Sequence, residues 1–87
     1  MTTMEEKKAG TVEKYFRNLK VAVIRLSDEI QPGDWLHFRG KSDFEQILGS
    51  MEVNSKQVQV AGEGSQVGVV VDKPCYKGDE VFRVNED

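Results

Sequence analysis

The sequence predicts an all-β fold, namely a single small antiparallel β-barrel. Apolar segments of strand length recur at spacings of about 8–14 residues, which is typical of all-β domains. Turn-forming residues separate these segments, and no segment shows a convincing helical pattern with caps at both ends. A closed barrel is expected rather than an open sheet, because closure protects the strand edges of so small a domain.

The length of 87 residues suits one domain. We assign residues 10–84 to the barrel, residues 1–9 to a disordered N-terminal tail and residues 85–87 to a C-terminal tail. The N-terminal segment is polar, and a short helix without apolar anchors is marginal in water.

The formal net charge of -3 gives no sign of a nucleic-acid-binding protein, which usually carries an excess of basic residues. A local basic face could still coexist with the acidic ends of the chain. The single cysteine, Cys75, cannot form an internal disulfide. No apolar run is long enough to cross a membrane, and the N-terminus lacks the hydrophobic core of a signal peptide. These features predict a soluble cytoplasmic protein.

The first half of the barrel is predicted to contain three strands. They cover residues 10–16, 20–26 and 35–39. Alternation in the second strand places Ala22, Ile24 and Leu26 in the core. Val21 and Val23 then face outward, where a loop or another subunit would have to cover them.

The second half is predicted to contain a long strand over residues 44–53, bent at Gly49-Ser50, because a glycine inside a strand often marks a bulge. Two further strands cover residues 66–72 and 80–84. In the first of these, the side chains expected to point inward are those of Val67, Val69 and Val71, which leaves Val70 outward.

Two glycine-aspartate turns precede strands. In the first, Pro32 presets φ and Gly33 accepts a positive φ, which is the signature of a type II turn. A shorter version follows at Lys77-Gly78-Asp79. The carboxylates next to turns are expected to be solvated residues that bond their own backbone. They are Asp28, Glu29, Asp43, Glu45, Asp79 and Glu80.

The most distinctive candidate site is the outer face of the strand over residues 35–39, where Leu36 and Phe38 point inward. The residues that we assign to this candidate binding face are Trp35, His37, Arg39, Lys41 and Arg25. An exposed aromatic side chain among cations can bind single-stranded nucleic acid, and tryptophan and arginine also anchor protein interfaces. A third alternative is that Trp35 simply packs under a loop.

The sequence gives no support for a catalytic, metal-binding or cofactor-binding site. His37 is the only histidine and Cys75 the only cysteine, so a zinc site lacks ligands. A nucleophilic Cys75 would need a neighbouring base, and an inert, half-buried thiol is the better interpretation. The glycine-rich residues 62–68 do not match a dinucleotide fingerprint, because position 67 is valine and no helix follows.

Six segments, taken in chain order, resemble the strands and turns of known protein families. They are GTVEKYF, VAVIRL, PGDWLHFRG, ILGSMEVN, VQVAGEGSQVGVVV and KGDEVFRV, which together cover most of residues 10–84. In this order and spacing the chain resembles the second, β-barrel domain of translation GTPases such as elongation factor Tu and initiation factor two. The resemblance is closer still to small stand-alone translation elongation factor-like proteins. The chain also resembles the barrel at the C-terminus of collagenase-like peptidases.

The resemblance implies a six-stranded barrel with a Greek-key-like path. It does not imply a GTPase, since no GxxxxGK[ST] motif occurs, and no contact residues can be carried over. The function it implies is a non-catalytic module that binds transfer RNA, ribosomal RNA or a translation-associated protein. The alternative is a protein adaptor or accessory subunit of a collagenase-like peptidase-type enzyme, without nucleic-acid binding. Neither alternative involves a cofactor or a membrane, and the oligomeric state stays open.

Overall fold

The computed structural model describes residues 4–86 of the chain, and the side chains of residues 5–84. This part of the chain forms eight β-strands. They are β1 (Met4–Phe16), β2 (Val21–Leu26), β3 (Trp35–Arg39), β4 (Asp43–Ile47), β5 (Met51–Val53), β6 (Lys56–Val58), β7 (Gln66–Val70) and β8 (Glu80–Glu86). Residues 4–86 contain no helix that could cross a membrane.

All eight strands belong to one antiparallel sheet with the order β4-β3-β8-β1-β2-β7-β5-β6. The long β1 organises it, because its first part pairs with β8 and its second part pairs with β2. The all-β prediction is therefore confirmed. The predictions of six strands and of a closed barrel are wrong, since the sheet has eight strands and its backbone ladder does not close.

The closure fails in the segment that was predicted as one bent strand. Residues 48–50 separate β4 from β5, and the two strands pair with different neighbours, β4 with β3 and β5 with β7. The β5–β6 hairpin was also not predicted. Its two turn residues, Asn54 and Ser55, have φ angles of 52° and 66°, as expected for a type I′ hairpin turn.

A buried side chain bridges the open side of the sheet. Gln46 is only 6% exposed, and its Nε2 donates a hydrogen bond to the carbonyl oxygen of Val70 at 3.0 Å. Its Oε1 accepts one from the amide of Asp72 at 2.8 Å. The carboxamide has the same donor and acceptor as a peptide group, so this side chain replaces backbone pairing between β4 and the end of β7.

The core is one cluster of buried apolar side chains, and strand alternation correctly predicted which side chains of β2 belong to it. Ala22, Ile24 and Leu26 are at most 2% exposed. Phe38 and Phe44 stack with their ring centroids 4.7 Å apart. The other buried apolar residues include Val12, Leu36, Leu48, Met51, Val67, Val69, Val71 and Val81.

Three turns of one form fasten the ends of the strands. Gly33, Gly64 and Gly78 have φ angles of 99°, 88° and 94°, the positive values that a type II turn requires. In each turn the amide of the glycine donates a hydrogen bond to the carbonyl oxygen of a core residue. The amide of that same core residue donates a hydrogen bond to the carbonyl oxygen of the residue that follows the glycine. The donor–acceptor distances are 2.8–2.9 Å. The core residues held in this way are Leu48, Leu26 and Val12, respectively.

The ends of the described chain are more ordered than predicted. Residues 4–9 were assigned to a disordered tail, yet they form the first part of β1, and the pairing with β8 extends to Met4 opposite Glu86. The sequence did not reveal this because the stabilising partner is β8, which is distant in sequence. Residues 1–3 and residue 87 lie outside the described part of the chain.

Candidate functional site

The structure places Trp35, His37 and Arg39 together on the outer side of β3, between the buried Leu36 and Phe38. We call this surface the Trp35 face. Trp35 is 40% exposed, so it is not packed under a loop. Its cross-strand neighbour is Ile47, which is 57% exposed.

The polar groups of Trp35 and Arg39 are bonded to neighbouring carboxylates. The indole Nε1 of Trp35 donates a hydrogen bond to Glu45. Arg39 Nη1 lies 3.2 Å from Glu6 Oε1, and the Arg39 guanidinium lies over the ring of Phe82 at 4.4 Å. Cations that are already paired are poorly placed to attract the phosphates of a nucleic acid.

His37 is the centre of this network. Its Nδ1 lies 2.6 Å from Glu6 Oε2, and its Nε2 lies 2.6 Å from Asp43 Oδ1. The hydrogen bond to Asp43 raises the pKa of His37 above its usual value, burial acts in the opposite direction, and Glu6 adds to the increase. Because carboxylates occupy both ring nitrogens, His37 is a structural contact rather than an available base.

The two remaining residues of the predicted binding face lie elsewhere. Arg25 is on β2, which β8 and β1 separate from β3 in the sheet, and its Nε pairs with Glu13 at 3.2 Å. Lys41 lies in the β3–β4 turn, where its backbone amide donates to Asp79. The predicted set of five residues therefore does not form one cationic surface.

Asp79 was expected to be a solvated turn residue, and this is wrong, since it is only 2% exposed. Its carboxylate accepts hydrogen bonds from the Ser42 hydroxyl and from the amides of Lys41, Ser42 and Tyr76, at 2.7–3.3 Å. Burial alone would raise the pKa of Asp79, but these hydrogen bonds outweigh it and lower the pKa. Asp79 thus joins the β3–β4 turn to the loop before β8.

Cys75 is fully rather than half buried, at 1% exposure. Burial raises the pKa of its thiol to about 11, and the nearby Asp79 charge adds to the effect. The thiol is therefore protonated near neutral pH and lacks the thiolate character of a nucleophile. Among the side chains of residues 5–84, no group of His, Cys, Asp and Glu is arranged to hold a metal ion.

A second surface, around the β1–β2 hairpin, is apolar. Phe16 pairs with Val21 and Val21 with Val70, so these side chains form a row across three strands. Phe16 is 41%, Leu19 68% and Val70 56% exposed, and Val21 and Val23 are half-buried. We call these five residues the hairpin surface. No described part of the chain covers it fully.

Strand alternation identified three members of the hairpin surface as outward-facing, namely Val21, Val23 and Val70. It missed Phe16, which ends the predicted strand over residues 10–16, and Leu19, which lies in the short connection to the next predicted strand. An apolar residue within a predicted hairpin turn, such as Leu19, was the signal that could have pointed to this surface.

The chain is similar to a segment of a protein that is described as a protease. No protein-family model matches the chain. A protein described as an uncharacterized protease from Methanocaldococcus jannaschii is 32% identical over 79 residues, which covers 88% of this chain and 19% of the relative. The chain thus spans about one fifth of the length of that relative.

The fold also matches solved structures of the C-terminal domain of a protein assigned to the U32 peptidases, from Geobacillus thermoleovorans. The TM-score is 0.85, with 20% identity, covering 91% of this chain and 93% of that domain. Its selenomethionine variant gives a TM-score of 0.83, covering 86% and 96%. At this identity the match shows the fold. These findings fit the resemblance to the collagenase-like peptidase barrel and give no support to the resemblance to translation factors.

Proposed function

We propose that this chain is a non-catalytic accessory domain that binds a peptidase-like catalytic unit through the hairpin surface. The observation that carries the proposal is the exposed row of Phe16, Val21 and Val70, which continues to Leu19 at the tip of the hairpin. Contiguous apolar surface on a small domain commonly marks a site of protein contact.

The two kinds of comparison support such a partner. The matched segment makes up 19% of the M. jannaschii relative, so most of that protein lies outside the segment. The corresponding fold in G. thermoleovorans is the C-terminal domain of a larger protein. Contacts between domains of one chain resemble transient protein–protein interfaces.

A non-catalytic role agrees with the state of the reactive side chains. Both nitrogens of His37 are hydrogen-bonded to carboxylates, Cys75 is buried, and Asp79 is held by four hydrogen bonds. General acid–base chemistry needs groups that can reach a substrate. In the described residues these three candidates are all engaged in structural contacts.

RNA binding at the Trp35 face is the function that we predicted first, and the geometry does not favour it. Stacking on Trp35 would require nearby cations that are free to follow the phosphates. Arg39 is paired with Glu6, and the carboxylates of Asp43 and Glu45 occupy the same face. A phosphate chain laid on this surface would meet three carboxylates, those of Glu6, Asp43 and Glu45, around one arginine and one histidine.

The proposal is tested by titrating the purified chain into the M. jannaschii relative from which the matched 79 residues have been removed, with calorimetric detection. We expect saturable binding that Val70→Glu weakens at least about tenfold, because it places a charge in an apolar interface. Ile47→Glu is a matched control, since Ile47 and Val70 are 57% and 56% exposed. Absence of binding, or an equal loss in the Ile47 variant, would contradict the proposal.

A further inference from the structure

A cleft of about 680 Å³ lies between the end of β1 and the loop that precedes β8. Ligand-binding clefts commonly measure about 300–1,000 Å³. The residues that line it are Glu13, Lys14, Tyr15, Arg17, Pro74, Cys75, Tyr76 and Lys77. The loop side is held in place, because the Tyr76 amide donates to Asp79 Oδ2 at 3.0 Å and the Gly78 amide donates to the carbonyl of Val12 at 2.8 Å.

The cleft lies at a basic end of an acidic protein. Residues 13–20 and 72–77 contain five of the 12 lysines and arginines but two of the 15 acidic residues, so these segments carry a net charge of +3 and the rest of the chain -6. Lys14, Arg17 and Lys77 form no ion pair with any described side chain. The carboxylate of Glu13 is bonded to Gln66 and Arg25.

Aromatic and apolar side chains alternate with these cations. Tyr76 is 47% exposed, and Tyr15 is half-buried against the core. Lys14 Nζ lies 5.4 Å from the ring centroid of Phe16. A neighbouring depression lined by residues 16–19 shares Arg17 with the cleft, so the basic cleft continues into the hairpin surface.

We propose that this cleft binds an acidic segment of a protein partner, with carboxylates paired to Lys14, Arg17 and Lys77 and with apolar side chains packed on Tyr76. The proposal rests on the proposed function in taking the partner to be a protein. Cations beside tyrosines could also bind nucleic acid. A protein segment is favoured because the cleft leads directly onto aliphatic surface at Leu19, and because the charge of -6 over the rest of the chain repels a long polyanion.

The test measures fluorescence anisotropy of a labelled short peptide in which glutamate and leucine alternate, against the full-length chain. We expect saturable binding that weakens as salt is added, and at least about tenfold weaker binding by the double variant Arg17→Glu, Lys77→Glu. A peptide with glutamine in place of glutamate is expected to bind at least about tenfold more weakly than the acidic peptide.

The matched control is the double variant Lys41→Glu, Lys56→Glu, which makes the same change in net charge at exposed positions outside the cleft. It is expected to bind the acidic peptide within about twofold of the unchanged chain, with an unchanged circular dichroism spectrum for both double variants. Equal losses in the two double variants would overturn the proposal, as would displacement of the peptide by a single-stranded oligonucleotide that binds more tightly.

The outcomes also separate this proposal from the proposed function. If the shortened M. jannaschii relative binds and the Arg17, Lys77 variant binds it equally well, the accessory-domain proposal stands and the acidic segment is wrong. If the acidic peptide binds at the cleft and the shortened relative does not bind at all, the cleft proposal stands and the peptidase-like partner is wrong.

Discussion

The Trp35 face and the hairpin surface differ in how their exposed groups are used. On the Trp35 face, Arg39 pairs with Glu6, His37 is held by two carboxylates, and the indole donates to Glu45. On the hairpin surface, Phe16 and Leu19 are exposed. The cations of the adjoining cleft, Lys14, Arg17 and Lys77, form no ion pair with a described side chain.

This difference shows that residue type alone does not identify a binding surface. Tryptophan and arginine on one strand are a strong signal for recognition, yet here the polar groups of Trp35, His37 and Arg39 are bonded to neighbouring carboxylates. The hairpin surface and the adjoining cleft have fewer distinctive residues, but the apolar side chains of the one and the cations of the other remain available to a partner. Asp79 connects the β3–β4 turn to the basic cleft, because it accepts hydrogen bonds from the amides of Lys41 and Tyr76.

The largest expected effect is on stability, at Asp79. Asp79→Ala leaves the amides of Lys41, Ser42 and Tyr76 without their acceptor, and each buried donor left unpaired costs about 1–3 kcal/mol. We expect the free energy of unfolding, measured with chemical denaturant, to fall by about 3 kcal/mol or more. Asp34→Ala in the equivalent turn is the control, because Asp34 accepts a single exposed hydrogen bond from Gln31. That variant is expected to lose about 1 kcal/mol, and equal losses would contradict this account.

The next effect is on binding, at Phe16. Phe16→Ser removes an exposed aromatic side chain from the hairpin surface, so partner affinity is expected to fall by about 1.4 kcal/mol or more, a factor of ten. The free energy of unfolding should change by less than about 0.5 kcal/mol, as is usual for exposed positions. Calorimetric binding and denaturation of the same sample separate the two quantities. A large loss of stability with unchanged affinity would show that Phe16 is a core residue instead.

A smaller, pH-dependent effect is expected at His37. The pKa of His37 is raised in the folded protein, so protonated His37 stabilises the folded state. This stabilisation is fully present below the unfolded pKa of about 6.5 and is lost as the pH rises through the folded pKa. Relative to His37→Gln, the intact chain should be more stable by up to about 1 kcal/mol at pH 5 to 6. The difference should decline above that range in thermal unfolding followed by circular dichroism. A difference that grows with pH would contradict the ion pairs with Glu6 and Asp43.

The smallest effect is expected at Trp35. Trp35→Phe removes the hydrogen bond to Glu45 but keeps an aromatic ring, so the free energy of unfolding should fall by about 0.5–1 kcal/mol. Partner affinity should not change, because Trp35 lies outside the hairpin surface. A tenfold loss of affinity in this variant would move the binding site to the Trp35 face.

Much of the fold could be predicted from local pattern. Alternation identified the inward side chains of β2, β3 and β7, and Pro32-Gly33 predicted a type II turn that the φ of Gly33 confirms. The break between β4 and β5 could not be predicted, because it depends on strands far away in sequence. The bridging role of Gln46 was equally hidden, since a lone glutamine in a strand carries no sign of burial.

The sites were predicted less well, for a physical reason. Sequence indicates which side of a strand a residue occupies, and it did so correctly for Trp35, His37 and Arg39. It does not indicate which charges pair, and the pairing of Glu6 with His37 and Arg39 spans more than 30 positions. Asp79 looked like an ordinary turn residue because its burial arises from the β3–β4 turn, which packs against it from elsewhere in the chain.

The central claim is that the hairpin surface docks on a peptidase-like catalytic unit. Its most direct test places a photo-crosslinking amino acid at position 70 or, as the control, at position 47, and exposes each protein to extract of the source organism before mass spectrometry. We expect position 70 to crosslink a peptidase-like protein that position 47 does not. Crosslinks to RNA or to ribosomal proteins, or a peptidase-like protein captured only from position 47, would contradict the claim.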